Sequence, residues 1–166
     1  LEALLNKAFK EGARKMKTEA KEMINPVIQK TGENIQLGDI YEVSGDMLGI
    51  YMHNNKSGVI VSLEGGNAGL AKDIAMHITA MKPEYISQNE ITEDTKKIML
   101  EVFHKEIESI NKPEEIKKKM LDGKMTTYFK ERTLLDQTFI KDSKVTISKL
   151  LEKNKAKIKE VKVYSI

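Results

Sequence analysis

The hydrophobic and polar positions between residues 47 and 64 alternate with a period of two. The apolar residues that share a parity are Leu48, Ile50 and Met52 before a polar turn, and Val59, Val61 and Leu63 after it. The turn itself contains Asn54-Asn55-Lys56. Strict alternation over runs of this length is typical of half-buried strands. The pattern therefore predicts a β-hairpin with one apolar face.

The period changes to that of a helix directly after this hairpin. Gly65-Gly66 interrupts the strand pattern, and Asn67 has a side chain suited to capping the N terminus of a helix. The positions that then recur at helical spacing are Leu70, Ile74, His77, Ile78 and Met81. Pro83 disfavours helical geometry at the residue before it. We therefore predict an amphipathic helix over residues 68–82 that covers the apolar face of the sheet.

The segment before this hairpin predicts helices followed by a strand. Apolar residues recur at helical spacing from Leu1 to Val27, which predicts two helices or one kinked helix. Asn25-Pro26 should end or bend the second helix, because proline lacks a backbone donor and crowds the preceding turn. The residues that then share one parity are Ile35, Leu37, Tyr41 and Val43. This second pattern predicts a further strand over residues 35–43.

Residues 93–132 carry a thin apolar stripe on otherwise charged helical segments. The apolar positions are Ile98, Met99, Val102, Phe103, Ile107 and Ile110 in the first segment, and Ile116, Met120, Leu121, Met125, Tyr128 and Phe129 in the second. Pro113 followed by Glu114 and Glu115 suits the start of a new helix, because proline is tolerated at the first position and acidic side chains favour the positive helix end. The pattern predicts an antiparallel helical hairpin, a coiled coil inserted into the fold.

The last part of the chain is predicted to return to the sheet. Residues 134–141 are predicted to form a loop or a short extended piece, and Ser143 can cap a helix after it. From Ile158 onward, Val161 and Val163 alternate with charged residues, which predicts a strand at the edge of the sheet.

These elements predict an α+β fold with a three- to four-stranded antiparallel sheet, helices that cover it, and the inserted helical hairpin. We expect residues 1–30 to form a helical N-terminal segment and residues 31–92 to form the sheet with its helix. Residues 93–132 then form the hairpin, and residues 133–166 return to the core with a helix and a strand.

Composition narrows the functional classes. Twenty-eight Lys and Arg residues against 25 Asp and Glu residues leave a net charge of only +3, so no nucleic-acid partner is expected. The chain contains no cysteine, which excludes disulfides and thiolate metal sites. No apolar run reaches the roughly 20 residues that span a bilayer, and we expect a cytoplasmic protein without membrane contact. Because the chain begins with Leu1, we expect a fragment or a processed product.

Few residues are candidates for chemistry. His77 follows Asp73 by one helical turn, and a metal site there would need a third ligand such as His53. The position of His77 in an apolar stripe favours a buried, hydrogen-bonded core histidine instead. Gly65-Gly66-Asn67 could cradle a phosphate, but no glycine-rich phosphate-binding motif is present, which favours a turn and a helix cap. Without a nucleophile motif, an acid–base pair or a ligand set, we expect no enzyme and no cofactor.

Several sequence motifs resemble those of the elongation factor Ts family of bacterial translation. The segments are 45–53 (Gly-Asp-Met-Leu-Gly-Ile-Tyr-Met-His), 73–78 (Asp-Ile-Ala-Met-His-Ile), 82–86 (Lys-Pro-Glu-Tyr-Ile), 112–116 (Lys-Pro-Glu-Glu-Ile), 119–125 (Lys-Met-Leu-Asp-Gly-Lys-Met), 134–140 (Leu-Leu-Asp-Gln-Thr-Phe-Ile) and 146–151 (Thr-Ile-Ser-Lys-Leu-Leu). The resemblance runs from about residue 31 to the C terminus. It implies a guanine-nucleotide exchange factor for elongation factor Tu, which releases GDP by surface contact and not by covalent chemistry.

The same resemblance implies which residues contact elongation factor Tu. Position by position, the family's contact residues fall on Thr31, Gly32, His53, Phe139, Ile140 and Lys141. His53 ends a strand on the face opposite Leu48, Ile50 and Met52, and by resemblance it reaches towards the phosphate-binding region of the partner. The loop at residues 139–141 is implied to press on the partner's third domain.

One motif of the family is missing from this sequence. The family's Thr-Asp-Phe-Val, whose aromatic ring wedges near the partner's magnesium site, does not occur in the 166 residues, and neither does the family's small N-terminal helical domain. We therefore expect the chain to bind elongation factor Tu but to accelerate GDP release less than the complete factor. The alternative is a structural module that forms a homodimer through the helical hairpin or the core and has no exchange activity of its own.

Overall fold

The structure is a computed structural model that describes residues 13–36, 38, 40, 42–54 and 56–165. The chain divides into two compact units, with the boundary between Ser44 and Gly45. The first twelve residues of the helical pattern that starts at Leu1 lie outside the described residues, and the structure describes the pattern from Ala13 onward. No helix within the described ranges is long and apolar enough to cross a membrane.

The first unit contains one long helix, α1 (Ala13–Thr31), with Pro26 inside it. Asn25-Pro26 therefore does not end the helix, which continues to Thr31. The predicted strand over residues 35–43 is wrong for the described residues of that segment, none of which is in a strand. Alternation of apolar residues favours a strand only where a neighbouring strand completes its backbone hydrogen bonds.

The second unit is built on a three-stranded antiparallel sheet. Its strands are β1 (Met47–His53), β2 (Ser57–Glu64) and β5 (Lys157–Ser165), in the order β1-β2-β5. The two predictions that residues 47–64 form a hairpin and that the C-terminal strand returns to the edge of the sheet are both confirmed. The three strands and the helices around them confirm the α+β fold class.

Helix α2 (Ala68–Met81) covers one face of this sheet, as predicted. Asn67 caps it, since its Oδ1 accepts a hydrogen bond of 2.9 Å from the backbone N–H of Leu70. At the other end Lys82 adopts a left-handed conformation and its N–H donates to the carbonyl of Ile78, so the helix stops just before Pro83. The capping interpretation of Gly65-Gly66-Asn67 is confirmed at this helix start.

The face of β1 that α2 covers is the opposite of the one predicted. Gly49 is buried opposite Val61, whereas Ile50 and Met52 are 58% and 56% exposed. A Cβ atom on Gly49 would lie 2.0 Å from the main-chain carbon of Ala71, so the helix backbone rests directly on this glycine. Ile50 and Met52 therefore lie on the exposed face of β1, whereas Met47, Gly49 and Tyr51 lie on the face towards the core. The close approach of α2 admits only a glycine at position 49.

The helical hairpin is confirmed and consists of α3 (Glu93–Glu108) and α4 (Glu114–Arg132). Its packed side centres on the buried Ile107 and on Phe103, whose ring meets that of Tyr128 edge to face at 5.4 Å. Ile98, Val102 and Ile116 were predicted in the seam but are exposed. With a single partner helix, each arm buries only a narrow stripe, and these side chains lie outside it.

Residues 133–156 connect the hairpin to the last strand. A 3₁₀ turn (Leu134–Asp136), a short two-stranded sheet of β3 (Thr138–Phe139) and β4 (Asp142–Thr146), and helix α5 (Ile147–Lys153) follow one another. The prediction that Ser143 caps the helix is wrong, because Ser143 lies in β4 and Thr146 Oγ1 accepts the capping hydrogen bond. This connection supplies Leu134, Phe139, Ile147 and Leu151 to the core beneath α2.

Candidate protein-binding surface

His53 lies at the exposed end of β1, beside the turn of the hairpin. Its ring stacks against that of Tyr51 with the centroids 6.2 Å apart. Nδ1 lies 3.3 Å from the Tyr51 hydroxyl, and Nε2 lies 3.3 Å from Nδ2 of Asn54. Because an amide nitrogen can only donate, Nε2 of His53 serves as the acceptor in the contact with Asn54. His53 is thus held by neighbours on its own strand and turn and remains open on its outer side.

The second candidate region is the turn between β3 and β4. Phe139 is only 7% exposed and belongs to the core, whereas Ile140 is 40% exposed. Lys141 points back to α2, where its Nζ lies 2.7 Å from Oδ1 of Asp73. The turn therefore presents Ile140 outward and leaves Lys141 half-exposed beside it, while Phe139 is buried beneath the turn.

His77 is the buried partner of this turn. It is 0% exposed, its Nε2 lies 2.9 Å from Oε1 of Gln137, and its Nδ1 accepts from the backbone N–H of Ile140 at 3.3 Å. Burial lowers the pKa of His77 below its ordinary value, against a smaller opposing effect of the hydrogen bond with Gln137. Because Nδ1 accepts, the proton is on Nε2 and the ring is neutral. The prediction of a hydrogen-bonded core histidine is confirmed.

The contacts of Asp73 and His77 argue against a metal site on this face of α2. Asp73 pairs with Lys141, and His77 is occupied on both ring nitrogens. Within the ranges that the structure describes, no three His, Cys, Asp or Glu side chains are arranged to hold a metal ion. The spacing of Asp73 and His77 thus serves to hold one turn of the chain at two points.

Thr31 and Gly32 belong to the first unit, at the end of α1. Gly32 has φ +71° and donates its N–H to the carbonyl of Ile28 at 2.8 Å. A positive φ at the residue after a helix is the usual glycine helix stop. Thr31 donates from Oγ1 to the carbonyl of Val27 at 2.9 Å, and both residues are exposed.

Within the second unit, His53 and the end of α2 lie at the same end of the sheet. Ser57, the cross-strand partner of His53, lines a groove together with Thr79 and Lys82. His53, Ile140 and Lys141 are predicted as contact residues through the family resemblance, and that prediction did not include Gln137. A buried glutamine that joins a core histidine has no local sequence signal, because its partner lies 60 residues away along the chain.

Comparisons with known protein sequences find relatives along the whole chain. The family model described as Elongation factor TS matches residues 1–166. The chain is 35% identical over 165 residues to the elongation factor Ts of Hahella chejuensis (strain KCTC 2396), covering 99% of this chain and 58% of that relative. It is 38% identical over 136 residues to that of Pseudomonas savastanoi pv. phaseolicola (strain 1448A / Race 6), covering 80% of this chain and 47% of that relative. The chain thus spans about half the length of these relatives. Because the family model matches the chain from end to end, the chain belongs to the elongation factor Ts family.

Proposed function

We propose that this chain acts in bacterial protein synthesis by binding elongation factor Tu and promoting the release of GDP from it. The observation that carries the proposal is the match to the elongation factor Ts family along all 166 residues. Such an activity is nucleotide exchange by protein contact, so the chain is not an enzyme in the chemical sense. A role in translation elongation also implies a cytoplasmic location.

The residues proposed to contact the partner are exposed in each of the two units taken by itself. Thr31 and Gly32 are exposed in the first unit. In the second unit His53 and Ile140 are exposed, and Lys141 adds a half-exposed cation next to the apolar Ile140. The resemblance also implies Phe139 as a contact residue. Because Phe139 is buried, we propose that it supports the turn from beneath instead of contacting the partner directly.

Exchange by contact requires that the chain bind one state of its partner more tightly than the other. A ligand shifts a conformational equilibrium only by its difference in affinity for the two states. Binding that favours the nucleotide-poor state of elongation factor Tu therefore weakens GDP binding, and GDP weakens binding of this chain by the same factor. The proposed role of His53 is to make contacts that depend on that state.

Stopped-flow release of a fluorescent GDP analogue from elongation factor Tu tests the proposal. Adding the 166-residue chain should accelerate release, but less than an equal concentration of a full-length elongation factor Ts, because the chain contains no Thr-Asp-Phe-Val wedge. His53→Ala should reduce the acceleration. Absence of both acceleration and a complex on gel filtration would reject the proposal.

A second candidate function rests on the helical hairpin. Ile98 and Val102 are exposed one helical turn apart on α3, and Ile116 is exposed on α4. Apolar side chains in such positions favour self-association, which gives a structural module that forms homodimers. Gel filtration with light scattering, with and without elongation factor Tu, separates this function from nucleotide exchange. A dimer that does not bind elongation factor Tu would favour the structural module.

A further inference from the structure

Two side chains on consecutive turns of α2 hold the loop that presents Ile140. Asp73 Oδ1 lies 2.7 Å from Nζ of Lys141, and Nδ1 of His77 accepts from the backbone N–H of Ile140 at 3.3 Å. The first contact is an exposed ion pair, and pairs of this kind contribute little to the free energy of folding. The second is made by a fully buried side chain, so water competes with it less than with the ion pair.

A chain of hydrogen bonds determines which ring nitrogen of His77 faces the loop. Gln137 Nε2 donates to the main-chain carbonyl of Glu131 at 2.6 Å, which turns its Oε1 towards His77. Oε1 can only accept, so the imidazole proton must lie on Nε2. Nδ1 is thereby left as an acceptor, directed at the amide of Ile140. The end of α4 is thus connected to the turn between β3 and β4 through the side chains of Gln137 and His77.

We propose that His77 is a positioning residue for partner binding, which holds the exposed Ile140–Lys141 turn in its binding conformation through the Nδ1 acceptor. This inference rests on the proposed function, because it concerns the surface offered to elongation factor Tu. An exposed turn that is ordered before binding loses less conformational freedom in the complex, which raises affinity without adding a contact. His77 itself is fully buried, so in this proposal it acts on binding through the turn that it holds.

Two substitutions separate the two hydrogen bonds of His77. In His77→Asn the side-chain amide reaches the position of Nδ1, so its oxygen can accept from Ile140 while the bond to Gln137 is lost. In His77→Gln the amide reaches the position of Nε2, so its nitrogen can donate to Gln137 while the acceptor for Ile140 is lost. His77→Asn removes the buried hydrogen bond with Gln137 and His77→Gln removes the part-buried one with Ile140, so each variant loses one hydrogen bond of the same side chain.

The affinity of the 166-residue chain and both variants for nucleotide-free elongation factor Tu is measured by calorimetric titration, at a temperature where circular dichroism shows each variant fully folded. We expect His77→Gln to weaken binding about fivefold to tenfold, the effect of roughly one hydrogen bond, and His77→Asn to stay within about twofold of the original. Hydrogen exchange of the Ile140 amide should quicken in His77→Gln and not in His77→Asn.

Equal losses of affinity in both variants, or none in either, would overturn the positioning role while leaving the proposed function intact. If the original chain itself does not bind elongation factor Tu, the proposed function fails, and the inference fails with it. If the variants do not fold, a measurement on the unsubstituted chain still tests the inference. Nitrogen NMR of His77 should find Nδ1 unprotonated at neutral pH, and a protonated Nδ1 would overturn the inference directly.

Discussion

His53 and His77 differ in what surrounds them, and the difference predicts opposite effects of truncation. His77→Ala removes a fully buried ring and strands Gln137 and the Ile140 amide, so it should lower the free energy of unfolding by about 1–3 kcal/mol. His53→Ala removes an exposed side chain and should change it by no more than about 0.5 kcal/mol. Urea titration followed by circular dichroism measures both. A large loss in His53→Ala would contradict the assignment of His53 to the partner surface.

The lowered pKa of His77 makes stability depend on pH. The ordinary pKa is 6.5, and burial holds the folded-state pKa below it. As pH falls below about 6.5, the unfolded chain takes up a proton at this residue and the folded chain does not, so the free energy of unfolding decreases by up to about 1.4 kcal/mol for each pH unit between the two pKa values. Above 6.5 the contribution is complete and constant.

Urea midpoints measured between pH 7.5 and pH 5 test this dependence. His77→Gln cannot be protonated, so its stability should fall less over the same interval. An equal fall in the original chain and in His77→Gln would assign the dependence to other groups.

Among the secondary-structure elements, the contact between α2 and β1 is the closest. Gly49→Ala should destabilise the fold by about 1–3 kcal/mol or more, since its Cβ would overlap the backbone of Ala71. The matched control is Gly123→Ala, in the interior of α4, where a Cβ would meet nothing within 4 Å. That substitution should stabilise by about 0.5–1 kcal/mol through helix propensity. Thermal melting of the two variants should therefore shift in opposite directions.

The helical hairpin depends on a narrow packed side. Ile107→Asp should cost about 2 kcal/mol or more, because Ile107 is buried and the carboxylate would lack a partner. Met120→Asp, at a half-buried position, should cost less, and Ile116→Asp, at an exposed one, about 0.5 kcal/mol or less. Limited proteolysis within residues 93–132 reports on the hairpin itself. The ranking fails if Ile116→Asp loosens the hairpin as much as Ile107→Asp does.

For the whole molecule, the division into two units predicts independent folding of the second. The three strands of the main sheet and every member of its hydrophobic core lie after residue 44. A fragment of residues 45–166 should therefore unfold in a single cooperative transition. Calorimetry of this fragment beside the full chain makes the test, and a fragment without a cooperative transition would contradict it. Such a fragment also shows how much partner binding needs Thr31 and Gly32.

Much of the element order follows from local signals in the sequence. Asn67 and Pro83 mark the two ends of α2, and Pro113 marks the start of α4, because capping and proline restrictions act within a few residues. The hairpin of β1 and β2 follows from a polar turn between two alternating runs. These features need no information about the rest of the fold.

The wrong predictions concern features that depend on packing between residues far apart in the sequence. Which face of β1 is buried depends on α2 resting on Gly49, a residue that a count of apolar positions ignores. Ile98 and Val102 have the spacing of a packed seam, but a two-helix hairpin has no third element to cover them. The start of α5 was predicted three residues too early, with Ser143 instead of Thr146 as its cap, because Asp142–Thr146 pairs with β3 before the helix begins.

The sequence by itself determined the α+β class, the helical hairpin and, through its motifs, the family, because these depend on periodicity, caps and residue identity along short stretches. Only the tertiary structure decided how the proposed binding turn is held. The hydrogen bonds of His77 join residues 60 and 63 positions apart, and both are made by side chains or amides with no periodic pattern of their own. Such contacts exist only once the sheet, α2 and the end of α4 have packed together, so no local physical rule could have revealed them.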